Sequence, residues 1–133
     1  MPVKVKASIG TEKYYTEVVA GENTLITDEP KNFGGKNKGF NPYEILATSI
    51  ASCTAATLRM YIDKKGWDIP KVEVSVTLDN FPITKNAIFT REINFECLSL
   101  DAEARDKLFE IAEACPVHKL LTNNIEINTK ILE

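Results

Sequence analysis

The longest uncharged run of the chain lies near its middle and has a well-defined helical start. Asn41 is a suitable N-cap residue, and Pro42 fits the first position of a helix, where its missing N–H is not needed. Glu44 stands three residues after the N-cap, as a capping box requires. These signals predict a long helix that begins at Pro42.

The same helix is predicted to be buried, because its first half is apolar or small on every side. It should run to about Lys64 or Lys65, with Gly66 as its C-terminal stop. A chain of 133 residues has little material to cover such a helix on all faces. The sequence therefore predicts a second subunit that completes the burial.

Apolar and polar residues alternate on both sides of the helix, which is the period of half-buried strands. The predicted elements are strands at 3–9, 14–19 and 24–27, a loop at 28–39, the long helix, strands at 72–79 and 89–97, helices at 101–114 and 116–121, and a last strand at 125–131. The second helix should present Leu108, Phe109, Ile111 and Ala112 on one side. This order predicts a single α+β domain over residues 1–133, with a mainly antiparallel sheet and a long buried central helix.

Composition excludes several classes of function. A net charge of -3 and an isoelectric point near 5.3 argue against nucleic acid as a partner. The uncharged stretch at 45–58 is shorter than the ~20 residues that span a bilayer, so no membrane is expected. The N-terminus has no signal-peptide pattern, and three cysteines do not form a secreted disulfide framework. We expect a cytoplasmic protein with free thiols.

Two of the cysteines are candidate reactive groups. Cys115 precedes Pro116 at a predicted helix start, where free backbone N–H groups lower the pKa of a thiol. Cys53 lies inside the long helix among small residues, which leave room for a small substrate, although a buried cysteine is also a common small hydrophobe. Cys97 falls on the apolar face of a strand and is predicted to be a core residue. Local electrostatics alone favour Cys115 as the reactive thiol.

Other polar residues leave alternatives open. His118 lies three residues after Cys115, which permits a Cys–His nucleophilic pair, although a surface imidazole is the simpler interpretation. Arg91 shares a strand face with Phe89 and Ile93, where its guanidinium needs a carboxylate partner, an anionic ligand or an exposed strand end. The cysteines lack paired metal-ligand spacing, and the glycine-rich segment at 34–39 is not a phosphate loop. No metal and no cofactor are expected.

Three motifs resemble the OsmC/Ohr family of osmotically induced and organic hydroperoxide resistance proteins. They are Gly-Phe-Asn-Pro-Tyr-Glu-Ile-Leu at 39–46, Ala-Ser-Cys-Thr at 51–54 and Cys-Pro-Val-His-Lys at 115–119. The order of predicted elements is similar over nearly the whole chain. The resemblance implies an intertwined homodimer with sites at the subunit interface.

The resemblance also implies a thiol-dependent peroxidase that reduces organic hydroperoxides in the oxidative stress response. In that mechanism Cys53 is the peroxidatic thiol and becomes a sulfenic acid, which Cys115 resolves as a disulfide. A dithiol reductant of the lipoyl type would restore both thiols. The first attack is assigned to Cys53 by the family pattern only.

The chain departs from the peroxidase-type pattern in its activating charges. Such members use an N-terminal arginine held by a glutamate of the central helix, whereas no arginine precedes Arg59 here. Glu44 stands one step after the expected glutamate position and resembles the OsmC-like branch; capping explains it, and any catalytic use would act through another residue or subunit. Arg91 or Lys36 is the expected source of positive charge.

Two other functions stay open at this point. One is a small-molecule binding protein that keeps the fold with little catalysis. The other is a hydrolase or acyl transferase that uses Cys115 and His118.

Overall fold

The structure is a computed structural model that describes residues 2–97 and 99–132. The backbone forms two compact units, one that ends at Leu46 and one that starts at Ala47. The single domain over 1–133 therefore stays a prediction.

The first unit contains the predicted antiparallel meander. Its strands are β1 (Lys6–Ile9), β2 (Thr16–Ala20) and β3 (Asn23–Thr27), with β2 in the middle. Thr16 of β2 pairs with Ile9 on one side and with Thr27 on the other. The polar, glycine-rich segment after β3 is a loop with a short 3₁₀ helix at Lys31–Phe33, as its composition indicated.

A buried carboxylate, that of Asp28, organises this loop. It accepts four backbone N–H bonds of 2.8–3.3 Å, which come from Tyr14, Glu29, Lys36 and Lys38. Burial raises the pKa of Asp28, but the four hydrogen bonds outweigh it and the pKa lies below its ordinary value of 3.8. Gly35 is needed here, because a Cβ at this position would lie 2.0 Å from the Glu29 carbonyl oxygen.

The long helix α1 runs over Pro42–Lys65, with the predicted start and stop. The Asn41 side chain accepts the Glu44 N–H at 2.9 Å, and the Glu44 carboxylate accepts the Asn41 N–H at the same distance. This is the capping box. Gly66 ends the helix at a φ of 68°, a left-handed conformation that favours glycine. By length and composition alone α1 could cross a membrane, a test that the core helix of a globular protein also passes.

A single chain buries only one side of α1, so the prediction that a second subunit completes its burial stays a prediction. Its buried residues form one stripe at intervals of four: Ile50, Thr54, Leu58 and Ile62. Met60, on another face, is 70% exposed. One chain supplies only enough packing elements to cover one side of the helix.

The second unit places a hairpin and two helices with the C-terminal part of α1. Strands β4 (Lys71–Phe81) and β5 (Asn86–Glu96) are antiparallel, and they are followed by α2 (Ala102–Glu113) and α3 (Pro116–Leu121). The core consists of Leu58, Ile62, Ile69, Leu108 and Ala112, with Cys97 packed against it as predicted. Phe109 was expected on the same side of α2 as Leu108, but it is 65% exposed. Phe109 is one residue beyond Leu108 and therefore lies outside the buried stripe of Leu108 and Ala112.

The predicted last strand at 125–131 does not form. This described segment has no regular secondary structure, and Ile127 and Ile131 are 86% and 87% exposed. Strands β4 and β5 pair with each other, and among the described residues the segment has no strand partner. A strand without a neighbour leaves its backbone groups unpaired, so an alternating sequence pattern alone is not sufficient to form a strand.

Candidate active site

The second unit gathers a set of polar side chains around Cys115. This residue is the N-cap of α3, Pro116 follows at the first helical position, and the Cys115 side chain is fully buried. The side chains of Cys53 and Thr54 and the backbone N–H groups of Val117 and His118 are the groups around its sulfur that lower its pKa. The short helix begins here because Pro116 disfavours helical geometry at Cys115.

Burial and the groups around the sulfur shift the pKa of the Cys115 thiol in opposite directions. Burial raises its pKa, since a thiolate loses its hydration in the protein interior. The donors from Cys53, the His118 backbone, Thr54 and the Val117 backbone more than compensate, and the net pKa of Cys115 lies below 9.0. The prediction that the pKa of Cys115 is lowered is confirmed, although side chains of α1 contribute as well as the start of α3.

Cys53 is the more accessible of the two thiols. It lies on α1, is partly exposed, and directly precedes the fully buried Thr54. Cys53, Cys97 and Cys115 are all free thiols in this structure. The Cys53 side chain is one of the groups that lower the pKa of Cys115, so the two thiols are neighbours in this unit.

Arg91 of β5 forms hydrogen bonds with one residue from each of the three helices α1, α2 and α3. Its side chain is 11% exposed. Nη1 donates to the Thr54 hydroxyl oxygen at 2.9 Å, and Nη2 donates to the Glu113 carboxylate at 2.7 Å and to Nδ1 of His118 at 3.0 Å. The strand pattern had placed Arg91 on the inner face with a carboxylate as one candidate partner, and Glu113 at the end of α2 is that partner.

His118 has a different role from either of its predicted ones. Its ring is not free at the surface, because Nδ1 accepts a hydrogen bond from Arg91 and lies 3.9 Å from Glu113. Since an arginine only donates, Nδ1 is the acceptor in this contact. His118 contacts Cys115 through its backbone N–H. This geometry does not form a Cys115–His118 pair in which the imidazole ring acts as the base.

Two residues of the predicted site lie in the first unit. Glu44 closes the capping box of α1 and forms a further interaction, so capping accounts for at least one of its contacts. Lys36 lies 3.5 Å from Glu12, which also pairs with Lys38 at 3.1 Å. Lys36 and Lys38 thus share the single carboxylate of Glu12, which lies between β1 and β2.

Sequence reasoning missed two members of the site, Thr54 and Glu113. Thr54 sits in the buried stripe between Ile50 and Leu58, and a polar residue at such a position needs a hydrogen-bond partner. The stripe could not be recognised in the sequence because the surrounding residues of α1 are also small or apolar. Glu113 gave no signal, since it is one of several acidic residues of α2.

The chain is similar to known proteins over most of its length. Residues 35–130 match the family described as OsmC-like protein. The chain belongs to the OsmC family. Peroxiredoxin OsmC of Escherichia coli K12 is 25% identical over 123 residues, which cover 85% of this chain and 84% of that protein.

Solved structures of OsmC and Ohr proteins have the same fold. An osmotic stress induced and detoxification response protein from Psychrobacter arcticus superposes with a TM-score of 0.76 and 26% identity, over 87% of this chain and 85% of that one. The organic hydroperoxide resistance protein OhrB of Bacillus subtilis gives a TM-score of 0.61 and 22% identity, over 93% of each chain. The predicted α+β OsmC-like fold is confirmed.

Proposed function

We propose that this OsmC-family protein is a thiol-dependent peroxidase that reduces organic hydroperoxides with Cys53 and Cys115. The observation that carries the proposal is that the Cys53 side chain neighbours the buried Cys115 thiol and lowers its pKa. Relatives whose names include a peroxiredoxin and a hydroperoxide resistance protein support the same chemistry. A cysteine with a lowered pKa next to a second thiol is the arrangement of a redox pair.

Exposure supports Cys53 as the thiol that meets the peroxide. Cys53 is partly exposed, whereas Cys115 is fully buried and is reached from outside less easily. In the proposed cycle the Cys53 thiolate attacks one peroxide oxygen, the O–O bond breaks, and an alcohol leaves. The resulting sulfenic acid is attacked by Cys115, which forms the disulfide and releases water.

An apolar groove supports an organic rather than an inorganic peroxide. The groove has a volume of about 1240 Å³, and its walls come mainly from β5 and α2. Arg91 and His118 line it together with Phe89, Ile93 and Phe95, whereas neither Cys53 nor Cys115 is among its described lining residues. Such walls favour a substrate with a hydrocarbon portion, because burial of apolar surface contributes most of the binding energy of small ligands.

A homodimer is part of the proposal, supported by apolar surface that one chain leaves open. Met60 of α1 and the C-terminal residues Ile125, Ile127, Ile131 and Leu132 are 56–87% exposed. A monomer rarely exposes so many large apolar side chains within one unit. Sedimentation equilibrium on the full chain is expected to give twice the mass of 14.8 kDa.

The central test is the chemical fate of the thiols. The fully reduced protein is treated with one equivalent of cumene hydroperoxide, and disulfides are mapped by mass spectrometry. We expect a Cys53–Cys115 linkage and loss of two thiols per chain, and a Cys97→Ser variant should behave like the wild type. Dihydrolipoamide, a dithiol, should then restore both thiols.

A different result would redirect the assignment. If the thiols stay free while cumene hydroperoxide is not consumed, the peroxidase proposal is wrong and a binding role for the groove is favoured. If activity toward an ester substrate survives Cys53→Ser and is lost in His118→Ala, the hydrolase alternative is favoured instead.

A further inference from the structure

One side of α2 carries both the charged and the apolar side chains that line the groove. These residues are Arg105, Leu108, Phe109, Ala112 and Glu113. They occupy positions i, i+3, i+4, i+7 and i+8, which lie on one side of a helix. Phe109 is 65% exposed because it lines this open groove. The helix therefore forms a continuous wall along the groove.

The groove contains one positive charge that no carboxylate matches. Arg91 and Glu113 both line it, and they form an ion pair of 2.7 Å at the C-terminal end of α2. Arg105 lines it near the other end of α2, where its backbone N–H bonds to the Asp101 carbonyl oxygen. Its guanidinium has no hydrogen-bond or ion-pair partner among the described residues. The groove is thus locally positive, although the chain has a net charge of -3.

An apolar track separates Arg105 from the charged pair at the far end of the groove. Arg105 and Glu113 are eight residues apart in sequence, which corresponds to roughly 12 Å along a helix. Phe109 lies between them on α2, and Phe89 and Phe95 line the same groove from β5. A ligand that follows this track buries a hydrocarbon portion, and such burial contributes most of the binding energy of a small ligand.

We propose that the groove binds an amphipathic monocarboxylate, whose hydrocarbon portion lies along Phe109 and β5 and whose carboxylate pairs with Arg105. A guanidinium can hold a carboxylate through two parallel N–H···O bonds. One unmatched positive charge favours a ligand with one negative charge over a phosphate ester, which carries about two near neutral pH. A cationic ligand is disfavoured, because the carboxylate of Glu113 is already paired with Arg91.

The ligand needs no peroxide group, so the inference goes beyond the proposed peroxidase function. Because neither Cys53 nor Cys115 lines the described part of the groove, binding is measured with reduced thiols and without hydroperoxide. The surface that supports the homodimer is also a different one. Met60 and the exposed isoleucines at 125, 127 and 131 are not among the described residues that line the groove.

Isothermal titration calorimetry on the full, reduced chain tests the proposal with decanoate and decan-1-ol, which share a hydrocarbon chain and differ in charge. Decanoate should bind about tenfold more tightly, the effect of a hydrogen-bonded charged pair. Arg105→Met should abolish this preference and leave decan-1-ol binding unchanged, whereas Arg105→Lys should retain part of it. The matched control is Lys107→Met, which removes a positive charge from a different side of α2 and should leave the affinity for decanoate unchanged.

Two further measurements separate the charge from the apolar wall. Higher ionic strength should weaken the binding of decanoate and not that of decan-1-ol. Phe109→Ala should weaken both ligands to a similar degree, because it removes apolar surface and no charge. Equal wild-type affinities for the two ligands, or an unchanged preference in Arg105→Met, overturn the assignment of the carboxylate to Arg105. Absence of binding by both ligands overturns the ligand site itself, and neither result depends on the fate of the thiols with cumene hydroperoxide.

Discussion

Arg91 offers a prediction whose size can be worked from its contacts. Arg91→Met removes the charge and its three hydrogen bonds but keeps most of the apolar stem. The bond to the fully buried Thr54 oxygen is the costly one, at about 1.5–3 kcal/mol for a charged donor. The pair with Glu113, which is 51% exposed, adds at most about 1 kcal/mol because water replaces the lost partner. We expect a total loss of about 2–4 kcal/mol in the free energy of unfolding.

Urea denaturation followed by the fluorescence of Trp67, the single tryptophan, measures this change. The midpoint of thermal unfolding should fall by about 6–12 °C for a chain of this size. The matched control is Arg105→Met, which removes the same charge from an exposed position of α2 and should cost about 0.5 kcal/mol or less. If the two variants are equally stable, the contacts of Arg91 with Thr54 and Glu113 do not form in solution.

Two further predictions concern the core and the loop of the first unit. Leu58→Ala, at a fully buried position, should cost about 3–5 kcal/mol by urea denaturation, whereas Ile83→Ala, at a 97% exposed position, should leave stability unchanged. Asp28 has a lowered pKa in the folded chain, so its stabilising effect is present above its ordinary value of 3.8 and is lost as the pH falls through the folded value. Hydrogen exchange should show the loop amides protected above that value and open below it, and Asp28→Asn should leave them open throughout; protection in that variant would contradict the role of the carboxylate.

The sequence predicted well those parts of the fold that depend only on interactions between neighbouring residues. The boundaries of α1 follow from Asn41, Pro42, Glu44 and Gly66, whose capping and stop geometry involves only neighbouring residues. The hairpin of β4 and β5 follows from alternation, which also placed Arg91 on the inner face. These features need no information about distant parts of the chain.

Burial was predicted less well, because it depends on what packs against an element. The apolar surroundings of α1 indicated burial on all sides, but a single chain covers only the stripe that contains Thr54. Residues 125–131 have the alternation of a strand, yet they pair with neither outer edge of the two-stranded sheet of β4 and β5. Phe109 follows Leu108 in sequence, and with about 3.6 residues per helical turn neighbouring residues point to different sides. Leu108 is therefore buried while Phe109 is exposed.

The charged pair of this site lies on elements other than those that the family resemblance implied. The resemblance implied an arginine near the N-terminus and a glutamate on the central helix, whereas this chain pairs Arg91 of β5 with Glu113 of α2. Arg91 is not among the groups that shift the pKa of Cys115, whereas Thr54 is one of them and accepts a hydrogen bond from Arg91. Thr54→Val, which replaces the buried hydroxyl with a methyl group, should therefore separate Arg91 from the thiols while leaving both cysteines and the arginine in place.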